Sequence, residues 1–242
     1  MKKSSIILAS AILLSSLTGV AANAAPAIYE TNGQIEFTEA TGVTKPLDPD
    51  NPDTGVTPKD PTKPDGTPTE GTPGPLSIDF ASSLIFGQQE ITSETKTYFA
   101  ELQKATDKEG AEISRPNYVQ VSDNRGTETG WVLTVKQDGQ FKTSSGVELA
   151  SAKITLGDGT LATNSTSAHP TATASIALDP AGAEETVMIA AAGQGAGTYI
   201  TKWGADAASA VESISLEVPG GSKKEKAVYS TKLIWSLADV PA

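Results

Sequence analysis

The sequence predicts an all-β protein built as an antiparallel β-sandwich, and three observations predict it. From residue 75 onward the chain is a succession of short runs rich in Val, Ile, Thr, Tyr and Trp, each bounded by Gly, Pro, Asn, Asp or Ser. Those runs follow one another closely with no sustained 3.6-residue apolar period between them, which argues against crossover helices and a parallel sheet. Cysteine is absent, so stability must come from a packed core; a domain spanning residues 75–242 is long enough to bury roughly 70% of its unfolded surface without staples.

In chain order the expected strands are LSIDF (76–80), LIFG (84–87), NYVQVSD (117–123), GWVLTVK (130–136), AKITLG (152–157), TATASIAL (171–178), ETVMIA (185–190), GTYITKW (197–203), SISLEV (213–218) and VYSTKLIWSL (228–237). ETKTYFAELQKATD (94–107) is read as a further strand. GADAASAVES (204–213) is compatible with either a strand or a turn or two of helix.

Ahead of this domain lie three segments. Residues 1–24 have the three parts of a secretory signal: Lys2 and Lys3, an apolar run from Ile6 to Leu17, and Ala22-Asn23-Ala24 as a small-x-small cleavage site. The apolar run is shorter than the roughly 20 residues that span a membrane. The mature chain is therefore expected to be extracellular, without membrane insertion. Residues 25–42 contain Ile28, Ile35 and Phe37 around Asn32-Gly33, a dipeptide that closes two-residue hairpins. A lone hairpin is marginal in water, so this one is expected to pair with the main domain or to serve as a detachable strand for a partner. Residues 43–74, with Pro75 beyond them, hold nine of the fifteen prolines, separated by Asp, Thr, Lys and Gly. That composition predicts an extended, solvated spacer able to reach on the order of 90 Å.

The formal charge is −11, and loss of Lys2 and Lys3 with the signal would take it to −13. Such a field repels nucleic acid and anionic membrane, and it favours a glycan or peptide ligand over a phosphate polymer. The sequence offers little for catalysis: no Cys, and one His, His169, directly before Pro170 in a Ser/Thr/Ala-rich stretch. No catalytic residue, cofactor or metal site is assigned, and the chain is expected not to be an enzyme.

Period-two alternation decides where the tryptophans point. Tyr229, Thr231, Leu233, Trp235 and Leu237 share one face of the last run, and Trp131, Leu133 and Val135 share one face of GWVLTVK. Both tryptophans travel with apolar neighbours and read as core anchors. Trp203 shares its face with Tyr199 and Thr201 and precedes Gly204, making it the candidate for a partly exposed ring. Arg115 and Arg125 are the two arginines of the chain. A guanidinium suits carboxylate ligands. For Arg125, in Asp123-Asn124-Arg125-Gly126, an ion pair that rigidifies its own loop is the favoured reading.

Trp131-Val132-Leu133 and Trp235-Ser236-Leu237 are two separate W-x-L tripeptides, the second inside Tyr229-x-x-x-Leu233-Ile234-Trp235-x-Leu237-x-x-x-Pro241. In these motifs, and in the signal, the Pro/Asp stretch, PLSIDFASSLIFG and YVQVSDNRGTETGWVLTV, the chain resembles the WxL-domain surface proteins of Gram-positive bacteria such as lactobacilli, enterococci and listeriae. It departs from their pattern at Ile234, where Thr is usual. The resemblance implies non-covalent attachment of the C-terminal domain to the cell wall, with peptidoglycan or another wall glycan as ligand. It implies, as further partners, other WxL-family proteins and membrane-anchored surface proteins. No LPxTG motif or hydrophobic stop follows Trp235 in this sequence, so the fold itself is expected to supply the adhesion. The alternative is a subunit of a multi-protein surface complex, serving adhesion or polysaccharide utilisation, that docks on its companions by strand addition.

Overall fold

The computed structural model describes residues 26–239, so the expected signal peptide lies outside the described residues. In chain order the strands are β1 (Leu47–Asp48), β2 (Asn51–Gly55), β3 (Thr57–Pro58), β4 (Leu76–Ala81), β5 (Lys96–Phe99), β6 (Gln103–Thr106), β7 (Glu112–Arg115), β8 (Tyr118–Asp123), β9 (Trp131–Gln137), β10 (Lys153–Leu156), β11 (Gly159–Thr163), β12 (Thr171–Ala172), β13 (Ile176–Ala177), β14 (Glu185–Ala190), β15 (Gly197–Trp203), β16 (Ile214–Val218) and β17 (Leu233–Asp239). Among the described residues one short helix, α1 (Ala207–Ser213), precedes β16. Asp206 caps it by accepting from the Ser209 N–H, and the Ser209 hydroxyl returns the favour to the Asp206 N–H. The stretch that sequence left open is thus a helix, and no helix among the described residues is long and apolar enough to cross a membrane.

The molecule is all-β and its strands pair antiparallel throughout, as expected. They are distributed over more sheets than the two of a plain sandwich. Three four-stranded sheets have the orders β11-β15-β8-β4, β12-β14-β9-β17 and β13-β10-β16-β5; a three-stranded sheet (β3-β6-β7) and a ribbon (β1-β2) complete the set. One hydrophobic core draws on all three four-stranded sheets, through Val119, Val121 and Tyr199 of the first, Trp131, Leu133 and Val135 of the second, and Ile154, Leu156 and Leu216 of the third.

Two of the expected elements are absent. LIFG is not a strand, although Leu84 and Phe86 still pack on the core, with the Phe86 ring 6.3 Å from that of Phe141. The expected hairpin of residues 25–42 is also corrected: 26–41 contain no strand, and Ile28, Tyr29, Ile35 and Phe37 are 76–91% exposed. The chain divides after Phe37.

The largest correction concerns the expected spacer. Residues 43–60 are folded, not extended into solvent: they carry β1 to β3 and bury Asp48, Val56 and Asp60. The reason lies in β8, which is buried along its whole length and so needs cover on both faces. Val119 and Val121 face the main core, while Tyr118 joins Phe80 and Ile200 in a second cluster against which Leu47 packs. The Phe80 and Tyr118 rings lie 4.7 Å apart there. Gln120 fixes the covering chain by accepting from the Leu47 N–H at 2.7 Å and donating to the Lys45 carbonyl at 3.1 Å. The prolines do not obstruct this, because Pro52 and Pro58 sit in strands that lie at sheet edges, where the missing N–H breaks no ladder.

Under the same cover lies Asp79, 2% exposed, at a bulge in β4. Its carboxylate accepts from the hydroxyls of Ser77 and Ser122, both at 2.6 Å, and from the Gln120 amide at 2.8 Å. Burial pushes its pKa above the ordinary value, and the three hydrogen bonds only partly oppose this. The folded state therefore holds this proton more tightly than the unfolded chain. Asp79 alone makes the fold gain stability as pH falls from neutrality through the raised pKa, with the gain levelling off below the unfolded value. Asp79→Asn is expected to raise the melting temperature at pH 7 and to weaken its rise towards pH 5. Thermal melts across that range measure both effects.

Candidate functional site

The two W-x-L tripeptides come together. β9 and β17 are hydrogen-bonded neighbours in register, with Leu133 opposite Leu237, Val135 opposite Trp235 and Trp131 opposite Asp239. Trp131, Leu133 and Val135 are fully buried, as the alternation predicts. On β17 the inward residues Leu233, Trp235 and Leu237 are half-buried and packed on the core, while Ile234, Ser236 and Ala238 are exposed. The lower burial on β17 follows from its place at the sheet edge, where among the described residues no second strand is hydrogen-bonded to it, although β4 of the other sheet lies near.

Trp131 is fixed by two glycines. Its indole N–H donates to the Gly195 carbonyl at 3.1 Å, and a Cβ on Gly195 would stand 2.6 Å from that nitrogen. A Cβ on Gly130 would meet the Ala190 carbonyl oxygen at 2.5 Å, and both glycines have positive φ, 85° at Gly130 and 82° at Gly195. The Trp131 ring lies 6.3 Å from that of Tyr199 on β15, and Trp235 lies 6.0 Å from Trp203 on the same strand. These aromatic pairs tie β9 and β17 to the sheet of β15 across the core.

Trp203 is itself buried, at 2% exposure, which corrects the expectation of a partly exposed ring. Its face of β15 points to the main core, where Tyr199 and Trp203 both pack, while Ile200 on the opposite face is buried in the second cluster. Tyr229 is half-buried and its hydroxyl accepts from the Glu225 N–H at 2.8 Å. Pro241 lies outside the described residues. His169 is exposed, with its ring edge-on to Tyr199.

Both arginines are engaged within the domain. Arg125 grips Asp123 through two nitrogens, at 2.9 and 2.7 Å, donates to the Gly130 carbonyl at 2.9 Å, and pairs with Asp239 at the end of β17. It is a clasp between β8, the turn before the first W-x-L strand, and the second W-x-L strand. Arg115 makes a bidentate pair with Asp48, at 2.6 and 2.7 Å. Burial would raise the Asp48 pKa, but the Arg115 hydrogen bonds and those from the local backbone outweigh it and hold the carboxyl below its ordinary value. The charged partners likewise raise the pKa of both arginines, against the opposing effect of burial.

With the indoles inside, the outward face of this sheet consists of other residues. Thr171, Ile189, Val132 and Ala238 stand in one row across four strands, Thr186, Thr134 and Ser236 in the next, and Lys136 beside Ile234 in the third. The first two rows present small hydroxyl or aliphatic groups without charge, the third adds Lys136, which pairs with Glu184, and Ile189 is 45% exposed. Sequence alternation places Val132, Thr134 and Lys136 on this side. Only the strand register aligns them into rows with β12, β14 and β17.

Residues 24–241 match the protein family described as "WxL domain surface cell wall-binding". A search of curated proteins found no match, and neither did a search of solved structures. Because the match covers nearly the whole sequence and both tripeptides, the chain belongs to the WxL-domain family of surface, cell wall-binding proteins.

Proposed function

We propose that this chain is a secreted, non-catalytic protein of a Gram-positive cell surface that attaches non-covalently to peptidoglycan through its β domain. The observation that carries this reading is the pairing of the two W-x-L tripeptides on adjacent strands, which braces one side of a sheet and leaves the hydroxyl and aliphatic groups of the other side facing outward. The hydroxyls of Thr134, Thr186 and Ser236 suit the hydrogen-bonding groups of a glycan strand or stem peptide. The aliphatic row of Ile189, Val132 and Ala238 suits the methyl groups and the apolar sugar faces. We further read the domain as sandwich-like where the β15 and β9 sheets oppose each other, since the Trp131–Tyr199 and Trp203–Trp235 pairs bridge them.

A second reading, docking on companion surface proteins with indirect wall retention, is favoured by the edge position of β17. Co-sedimentation of the purified full chain with protein-free peptidoglycan sacculi separates the two. Direct attachment predicts that the folded protein pellets with sacculi, in a saturable manner. A subunit that needs a protein partner stays in the supernatant.

A further inference from the structure

We propose that the outer edge of β17 accepts, as an added antiparallel or parallel strand, the Gln34-Ile35-Glu36-Phe37 stretch of a second copy of this chain. The inference goes beyond wall attachment and stands independently of it. The Asp138 N–H donates to the Lys232 carbonyl at 2.9 Å, and the register of β17 on β9 continues from that pair. In an antiparallel ladder the bonded residues alternate. Lys232, Ile234, Ser236 and Ala238 therefore bond to β9, while Leu233, Trp235 and Leu237 turn their N–H and C=O groups to the other side. No backbone or side-chain group among the described residues bonds to those of Leu233, Trp235 or Leu237 on that side.

The side chains of these three residues are the same ones that the sheet leaves half-buried, whereas Trp131, Leu133 and Val135 one strand inward are fully buried. A strand laid beside β17 would satisfy the open backbone groups and cover the exposed flanks of Trp235 and Leu237 together. The occupant must be extended and carry two apolar side chains at i and i+2, about 6.6–6.8 Å apart, on the inward side. Ile35 and Phe37 have that spacing, are β-formers, and stand 76% and 85% exposed in a segment with no strand of its own. Glu36 between them would then point to the outer side, where Lys232 is exposed and Lys136 lies one strand in. Donation from one copy to the edge of the next is a head-to-tail contact, so it builds rings or open chains of molecules.

The test compares the full chain with Ile35→Asp/Phe37→Asp, using sedimentation velocity across protein concentration and amide hydrogen exchange. The wild type is expected to self-associate as concentration rises, with the Trp235 and Leu237 amides exchanging on the order of tenfold more slowly in the assembled form. The double variant is expected to remain monomeric with fast exchange at both amides. A synthetic peptide of residues 27–42 should dissociate the wild-type assemblies and protect the same two amides in the variant. Three results would overturn the proposal: a wild type that is monomeric throughout, association that persists in the variant, or amide protection that does not depend on concentration, which would mean pairing within one chain.

Discussion

Trp131→Ala is expected to lower the stability of the domain by about 3–5 kcal/mol, the usual cost of truncating a buried aromatic. A typical domain has only about 5–15 kcal/mol in total, so the variant should be largely destabilised or unfolded at physiological temperature. The size of the effect follows from the ring's surroundings. Trp131 is fully buried, contacts Tyr199 on the facing sheet, and fits between Gly130 and Gly195, whose carbonyl accepts the indole N–H. The backbone at these glycines is set by tight approaches and positive φ, so it cannot easily collapse into the vacated space. Denaturant unfolding monitored by circular dichroism measures the loss. Trp131→Phe should recover part of it, filling most of the volume while abandoning the bond to Gly195.

Arg125→Ala is expected to be nearly as costly, about 3–5 kcal/mol, because it strands a buried carboxylate. The Asp123 side chain is 1% exposed and Arg125 supplies its charged partner, in a fork-to-fork pair. The same guanidinium reaches Asp239, so its loss also releases the end of β17. Hydrogen exchange should therefore show β17 opening before the rest of the domain, a local effect that Trp131→Ala does not predict. Arg125→Lys should restore little, since an ammonium is a point charge and lacks the planar fork that holds both oxygens of Asp123.

Most strands of the main domain were legible in the sequence because they are half-buried or fully buried runs of β-formers with turn residues at their ends, but β7 and β11 were not expected, and the runs 94–107 and 171–178, read as single strands, each divide between two sheets. The inward direction of Trp131 and of Trp235 followed from period two alone, and the burial pattern of β17 reproduces it residue by residue. Residues 43–60 were not legible for a physical reason: their Pro/Asp composition resembles a solvated linker, and the need to cover the second face of β8 is visible only in three dimensions. β8 gave a hint, since Tyr118-Val119-Gln120-Val121-Ser122 mixes polar and apolar residues yet is buried on both faces. Gln120, Ser122 and Asp79 satisfy one another there. Trp203 misled because both faces of β15 mix polar and apolar residues, Tyr199 and Thr201 on one and Ile200 and Lys202 on the other, and the strand is covered on both sides. At the candidate site the outward residues of β9 and β17 were readable from alternation, whereas Thr186 and Ile189 of β14, three residues apart, share that face only through the bulge between them. Their alignment into rows required the pairing of β9 with β14 and β17, which no local pattern encodes.

The most direct measurement of the central claim is co-sedimentation with protein-free sacculi of the wild type and of Thr134→Glu/Ser236→Glu, each checked for its melting temperature. The outer face of the W-x-L sheet carries the attachment, so the double variant, whose two carboxylates face each other across β9 and β17, should lose no more than about 1 kcal/mol of stability and lose wall binding by on the order of tenfold or more, as expected when charges are buried without partners. Undiminished binding by that variant, with binding abolished instead by changes at a tryptophan that leave the melting temperature untouched, would contradict it.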